Sequence, residues 1–367
     1  MIRTAAQRAL GMDEVVVVNS SLPRLIEPRI SIVICNYNYG RYVEQAVRSA
    51  LEQAYPCEVV VVDDGSTDES RDLLAPWADR VTLVLQDNGG QCAAYNAGFL
   101  RCTGDVVVFL DSDDYLEPFA AERIARAFER DVAKVHFRLT LIDESGLALG
   151  VAIPTLLASG DVRAKLLRSG LLYSSSPGSG NAYRKSVLDR LFPLPRDPHD
   201  RHGADFFAIY GAALFGRVVA LEEALAGYRV HAENGASEAL VFGNAAQVVA
   251  EPARTLERAA PLFRSWILER TEGAIVPPLA LGDFSLSKTR FVGRVFGTSY
   301  LRGLVEGGAE LPTLLQKLWL SDTYSAAFKL GLSGWALAVL VAPRPMGRPL
   351  ARFVTNPASR RRVSRTS

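Results

Sequence analysis

Residues 105–119 read DVVVFLDSDDYLEPF, and this stretch decides the fold. Residues 106–110 are apolar with no polar alternate, which is how a strand covered on both faces reads. The chain then turns acidic at once, in Asp111-Ser112-Asp113-Asp114. Carboxylates this close repel one another, a cost relieved when a cation or several donors sit among them. A hard divalent ion, Mg2+ or Mn2+, meets that need, because it takes oxygen ligands and keeps positions open for substrate phosphates. A solvated acidic turn is the plain alternative. The pair Glu117-Pro118 suits the start of a helix after the loop.

Upstream, ISIVIC (30–35), EVVVVD (58–63) and VTLVL (81–85) repeat the Val- and Ile-rich pattern, and residues 41–54, 68–77 and 91–101 carry apolar residues at helical spacing. Strands alternating with helices predict a Rossmann-like α/β domain with a mostly parallel sheet. Ligands of such sheets bind beyond the carboxyl ends of the strands, so the residues after each strand carry the function. Asp63-Asp64-Gly65-Ser66-Thr67-Asp68 follows the second strand and reads either as a ligand loop or as a turn with a helix cap. Asn88-Gly89-Gly90-Gln91, with Asn96 and Gly98 beyond, opens a helix whose free amides favour phosphate, although an ordinary helix-entry loop reads the same way. Past residue 131 the alternation weakens: 133–143 predicts a strand and SSSPGSGN (174–181) a loop. From about Ser237 the pattern turns helical. The chain thus divides into an N-terminal extension (1–27), an α/β domain (28–237) and a helical C-terminal region with a basic tail (238–367).

Taken together, SIVICNYNYGRYVEQAVRSALEQAY (31–55), VVVVDDGSTDES (59–70) and DNGGQCAAYNAGFLRCTGDVVVFLDSDDYLEPF (87–119) resemble family 2 of the glycosyltransferases, with the GT-A fold. The resemblance implies that Asn36 and Tyr37 lie near a nucleotide and that Asp63 or Asp64 reads its base. It implies that Asp111 reaches the ribose or a metal, and that Asp113 is the direct metal ligand of a DxD motif, with Asp114 beside it. The family's base is an acidic residue far downstream, often the Asp of a Glu-Asp pair. Here HGADFFAIYGAALFG (202–216) matches, giving Asp205 that role with Ala204 where Glu is commoner. Tyr95 is a second departure, since many relatives carry Arg there. Tyr228-Arg229-Val230-His231, followed by Asn234 and Ser237, resembles the family's closing R-x-H segment and brings His231 towards the diphosphate. His136, His199 and His202 have no such context and read as structural or surface residues.

The implied reaction is inverting transfer of a sugar from a nucleotide-sugar, by default a UDP-sugar, to a hydroxyl of a saccharide or lipid-linked acceptor in cell-surface polysaccharide synthesis. Asp205 would take the acceptor proton while Asp113 and Asp111 hold the ion against the leaving diphosphate. Two other readings stand beside it. A nucleotidyltransferase would need a glycine-rich basic loop near the first strand, where CNYNYGRY stands instead. A non-catalytic nucleotide-sugar-binding scaffold draws support from Ala204 and Tyr95.

A net charge of +1 excludes a globally basic nucleic-acid binder. Cys35, Cys57, Cys92 and Cys102 form no CxxC pair and read as reduced core thiols, which fits a cytoplasmic compartment. The apolar run after Asp13 and Glu14 is short and lacks a small-residue cleavage site, so the N-terminus does not read as a signal peptide. Near the other end, LGLSGWALAVLVA (330–342) is too short to span a bilayer comfortably. Arg344, Arg348, Arg352, Arg360, Arg361, Arg362 and Arg365 follow it with no acidic residue. Such a cluster attracts an anionic membrane surface by about 1 kcal/mol per charge, giving peripheral contact at the inner face of the cell membrane. A soluble helix followed by a disordered basic tail is the competing reading.

Overall fold

Runs of Val and Ile with helices between them form a sheet only if both faces are covered, and the computed structural model has that arrangement. It describes residues 21–196, 203–231, 251–278, 281–282, 284–321 and 324–355. Strands β1 (Ile30–Asn36), β2 (Cys57–Asp64), β3 (Thr82–Gln86) and β4 (Val106–Asp111) lie parallel in the order β3-β2-β1-β4. Helices α1 (Gly40–Leu51), α2 (Ser70–Leu74) and α3 (Gln91–Phe99) make the crossovers. Alternate strand residues serve opposite faces, as period-2 geometry requires. Val33, Val62 and Phe109 pack under α3, while Ile32, Val61 and Val108 pack under Val43 and Val47 of α1.

After the short β5 (Tyr115–Leu116), α4 (Ala120–Ala127) begins just past the Glu117-Pro118 pair. The sheet then continues as β4-β8-β6-β9-β5, using β6 (Val132–Ile142), β8 (Asn181–Arg184) and β9 (Arg217–Arg229), with β7 (Ala148–Ile153) paired to β6. β8 runs antiparallel to both β4 and β6. The strand expected at 133–143 and the loop expected at 174–181 are both present. β9 was not legible beforehand, because Glu222, Glu223 and an interior glycine break its apolar pattern. Its effect is to return the chain to the acidic loop: β9 pairs with β5, which starts one residue after Asp114.

Helices α5 (Arg163–Ser169), α6 (Lys185–Leu191) and α7 (Ala204–Ala212) complete this unit. The boundary expected near Ser237 falls outside the described residues, as do Asn234, His199, His202, residues 1–20 and the tail from residue 356. Helix α8 (Glu251–Arg270) shares the sheet's core, with Phe263 set edge-on to Phe206 and Trp266 edge-on to Phe207 of α7. A separate core begins with α9 (Phe284–Phe296) and includes α10 (Tyr300–Leu320), α11 (Ala326–Val341) and α12 (Arg344–Thr355). Helix α10 ends at Leu320 and α11 begins at Ala326, where Ser325 caps it by accepting from the Phe328 amide. Among the described residues no helix is long and apolar enough to cross a membrane. The four cysteines are unbridged, and burial pushes the Cys57 and Cys102 thiols up to about 12.

Candidate active site

The ends of β1, β2 and β4 bring the predicted loops to one edge of the sheet, because parallel neighbours end together: Asn36 is in register with Asp63, and Cys35 with Asp111. Asp63 is fully buried and satisfied from three sides. Arg71 Nε donates to its Oδ1 at 2.7 Å, the Ser66 amide to the same oxygen at 3.1 Å, and Asn36 Nδ2 to Oδ2 at 3.0 Å. Burial alone would raise its pKa, but hydrogen bonds from Ser66, Arg71 and Asn36 outweigh burial and hold it below the usual carboxylate range. Asp64 accepts from Gln86 Nε2 at 2.6 Å and from the Gly89 and Gly90 amides at 2.9 and 2.8 Å. It thereby ties the two ligand loops together. Gly65, at φ +80°, sits so close to this second loop that a Cβ there would stand 2.5 Å from the Asn88 nitrogen.

The loop after β4 is built differently. Asp111 is half-buried, and burial, then the charges of Asp113 and Asp205, push its pKa up to about 7 against the pull of Gln91 and Ser179 hydrogen bonds. Asp114 is buried and likewise raised, by burial and by Asp113 and Asp111. Ser179 Oγ donates to Asp114 Oδ2 at 2.6 Å and accepts from the Asp111 amide at 3.0 Å, so the 174–181 loop clamps both acids. Gly178 lets that loop approach: a Cβ there would lie 2.8 Å from Asp111 Oδ2. Arg229 of β9 is buried, stacks over Tyr42 at 4.5 Å, and donates through Nε to the Asp113 carbonyl at 2.7 Å. Its amide donates to Asp114 Oδ1 at 2.9 Å. His231 Nε2 lies 2.8 Å from Asp113 Oδ2, with the ring between Tyr39 and Tyr42 at 5.6 Å from each.

Asp205 stands in the first turn of α7, behind Gly203 at φ +87°. Its carboxylate accepts from the Phe206 amide at 2.8 Å, and its charge is close enough to Asp111 to raise that group's pKa. Gln91 joins the two places, accepting from the Ala204 amide at 3.1 Å while hydrogen-bonding Asp111. Tyr95 stacks on Phe109 at 4.1 Å, and its buried hydroxyl has no hydrogen-bond partner among the described residues. Asn96 is occupied by the Leu194 backbone, accepting at 2.7 Å and donating at 3.1 Å. Tyr37 is exposed at the mouth, and Asn88 and Gly89 line the loop held by Asp64.

Among the described residues no three His, Cys, Asp or Glu side chains are grouped to hold a metal ion alone. The donor set fits a shared ion instead: Mg2+ and Mn2+ sites commonly use one or two carboxylates together with substrate phosphates. Asp111 and Asp113 would supply those carboxylates, and the repulsion that raises the Asp111 pKa is what a cation would remove. Residues that the sequence alone did not single out are Gln91, Ser179, Gln45 and Arg71, all ordinary polar types whose role comes from what they touch.

His136 is structural, as expected, within a buried polar cluster. Lys134 Nζ donates to Ser175 Oγ at 2.6 Å and Tyr173 Oη at 3.2 Å, and His136 Nε2 bonds the Ala158 carbonyl at 2.7 Å. Burial pushes the Lys134 ammonium pKa well below its usual value. The cluster ends on Asn181, whose amide donates to the Gly178 carbonyl at 3.1 Å, beneath the clamp on Asp111.

Residues 31–192 match the family described as Glycosyl transferase family 2. An uncharacterized glycosyltransferase of Nostoc sp. is 41% identical over 216 residues, 56% of this chain and 66% of that protein. A putative teichuronic acid biosynthesis glycosyltransferase, TuaG of Bacillus subtilis, is 40% identical over 24% of this chain and 37% of its own length. The chain therefore spans less than two thirds of these relatives. Among solved structures, S. aureus TarS 1-349 in complex with UDP-GlcNAc superposes with a TM-score of 0.52 over 91% of this chain and 92% of that one, at 19% identity. Parallel strands ending in acidic loops, the antiparallel return through β8 and the sequence match all lead to one assignment: residues 31–192 belong to a glycosyl transferase family 2 domain, with the GT-A fold.

Proposed function

We propose that the chain transfers a sugar from a nucleotide-sugar, by default a UDP-sugar, to a hydroxyl of a saccharide or lipid-linked acceptor, with inversion, in cell-surface polysaccharide synthesis. One observation carries the reading. Asp205, remote in sequence, lies close enough to the Asp111–Asp113 loop for its charge to act on Asp111. A proton acceptor and a cation-holding loop at the same strand end are the two parts an inverting transfer needs. The UDP-GlcNAc bound by TarS, whose fold is similar, supports the donor class, and the name of TuaG supports the polymer setting.

Asn36, Tyr37, Asp63, Asp64, Asn88 and Gly89 form the nucleotide side of the site, with the carboxylates of Asp63 and Asp64 shaping its loops. Asn96 supports the 194 loop from behind. Asp113, with Asp111, would hold Mg2+ or Mn2+, which when bound neutralises charge on the leaving diphosphate. His231 orients the Asp113 carboxylate from the diphosphate side. Asp205 takes the acceptor proton as the acceptor oxygen bonds the anomeric carbon, and the bond to the diphosphate breaks with its electron pair leaving on the nucleotide. The Phe206 amide keeps one oxygen of Asp205 fixed for that role.

The test is metal-dependent release of nucleoside diphosphate from a panel of nucleotide-sugars in the presence of a membrane-lipid extract. General-base assistance is worth about a hundred- to ten-thousand-fold, so Asp205→Asn loses turnover by that order while donor affinity, measured by calorimetry, stays close to wild type. Wild-type turnover in Asp205→Asn sinks the assignment of the base. Binding of a nucleotide-sugar without turnover of any would leave a binding scaffold in its place.

A further inference from the structure

The C-terminal helices carry a surface that the catalytic reading leaves unused. One side of α11 is buried through Leu332, Ala336 and Val339. The opposite stripe, Ala327, Leu330, Gly331, Gly334, Leu337 and Val341, is exposed and contains no polar side chain. Leu330 is 63% exposed, Leu337 51% and Val341 60%, far beyond what scattered surface apolar residues would give on one helix face. Helix α12 repeats the arrangement. It buries only Gly347, Ala351 and Thr355, and shows Met346, Leu350 and Phe353 to solvent together with Arg348. The helices are fastened to each other, with Trp335 Nε1 donating to the Leu350 carbonyl at 2.8 Å.

Aromatic side chains with one polar end stand at both ends of the α11 stripe. Tyr300, half exposed, donates to the Val341 carbonyl at 2.8 Å, and Trp319, also half exposed, lies 5.8 Å from Lys329 Nζ. Such residues favour a boundary between water and hydrocarbon. Charge gives the second observation. From residue 323 to the end the sequence holds Lys329 and seven arginines, and no Asp or Glu. Arg344 is spent on the Val295 and Phe296 carbonyls at the end of α9, but it keeps its charge.

We infer that α11 and α12 form a docking face for an anionic lipid surface, lying in the headgroup boundary with their apolar stripes down. An apolar face whose own segment, from residue 323 onward, carries cations and no acid matches acidic lipid headgroups in sign. A second copy of this chain fits worse, because a two-fold contact would set the same arginines against each other with no acid in the segment to pair them. The mode is docking and not crossing, since among the described residues no helix could span a bilayer. This inference stands whether or not the chain turns over a sugar donor.

The experiment is flotation of the full chain with vesicles of phosphatidylcholine containing phosphatidylglycerol, and with vesicles of phosphatidylcholine alone. Binding is expected on the first and not the second, weakening as salt is raised. The double variant Leu330→Glu/Leu337→Glu should bind about tenfold or more weakly, because the lost apolar burial exceeds one decade in affinity. Both side chains point to solvent, so its thermal unfolding should match wild type. Should the double variant lose stability, the single Leu337→Gln gives the same reading at smaller amplitude. No binding by wild type, equal binding to both vesicle types, or binding untouched by the helix substitutions overturns the inference. Concentration-dependent dimerisation that the same substitutions abolish also overturns it, in favour of a second copy.

Discussion

Two acidic loops end β2 and β4, the strands on either side of β1, and they have opposite electrostatic character. In the loop after β2, every carboxylate oxygen of Asp63 and Asp64 accepts from a fixed donor: Asn36, Ser66 and Arg71 for the first, Gln86 and the Gly89 and Gly90 amides for the second. Its charge is already compensated, and it holds the loops in place. In the loop after β4, the charges of Asp113 and Asp205 act on Asp111, and those of Asp113 and Asp111 on Asp114, with Ser179, Gln91 and His231 as partial relief. That loop keeps an excess of negative charge. Equal acidity in sequence therefore conceals one loop whose carboxylates are satisfied by donors and one whose carboxylates are raised by burial and by each other, and the number of donors around each carboxylate tells them apart.

The largest expected effect breaks this comparison at the second loop. Asp113→Ala should lower metal-dependent nucleoside diphosphate release by about a hundred- to a thousandfold, the usual cost of removing one electrostatic stabiliser of a developing charge. Its thermal unfolding should change little. A variant that keeps full turnover would place the ion elsewhere.

Next in size is the first loop, where stability and not chemistry should suffer. Asp64→Ala leaves the buried Gly90 amide without its acceptor, at a cost of about 1–3 kcal/mol. Chemical denaturation measures this directly, and an unchanged midpoint would mean that the donors find water instead.

The two loops should also give opposite pH slopes of stability. Asp63 is held below its ordinary value of 3.8, so its stabilisation is present above that value and is lost as pH falls through its folded pKa. Asp111 is raised from 3.8 to about 7, so the folded state binds the extra proton and stability declines as pH rises between those values. Mg2+ or Mn2+ should flatten that decline, and Asp111→Asn should lessen it, Asp114 being raised as well, while stabilising the ion-free protein by about 1 kcal/mol at neutral pH. Melting temperatures across about pH 2 to 8, with and without Mn2+, check both signs, the Asp63 loss at the acid end and the Asp111 decline above it. A metal-independent slope would mean that Asp111 is relieved by something other than a cation.

The smallest effect lies behind the second loop. Lys134→Met keeps the volume but takes a donor from Ser175 and Tyr173, and should loosen the 174–181 clamp at a cost of about 1 kcal/mol. A rise in donor KM with little loss of kcat is the expected kinetic signature.

Much of this was legible in advance. Unbroken Val and Ile runs require cover on both faces, so β1 to β4 and their crossovers follow from local pattern, and acidic or glycine-rich residues after each strand mark the ligand edge. Asp205 was reachable only through resemblance, since DFFAIY by itself is an unremarked helix start. Ser179 and Gln91 sit in stretches that read as plain loop and helix entry, and Glu222 and Glu223 hide β9.

By itself the sequence determined the parallel half-sheet, the order of the loops along its edge and the surplus of carboxylates after β4, because these depend on neighbours within a few residues. Only the tertiary structure decided which carboxylates are satisfied. Arg229 meets the Asp113 carbonyl across 116 positions and Gln45 across 184, and Ser179 meets Asp114 across 65. Whether a buried charge is relieved depends on donors brought in by the fold, and spacing along the chain carries no record of them.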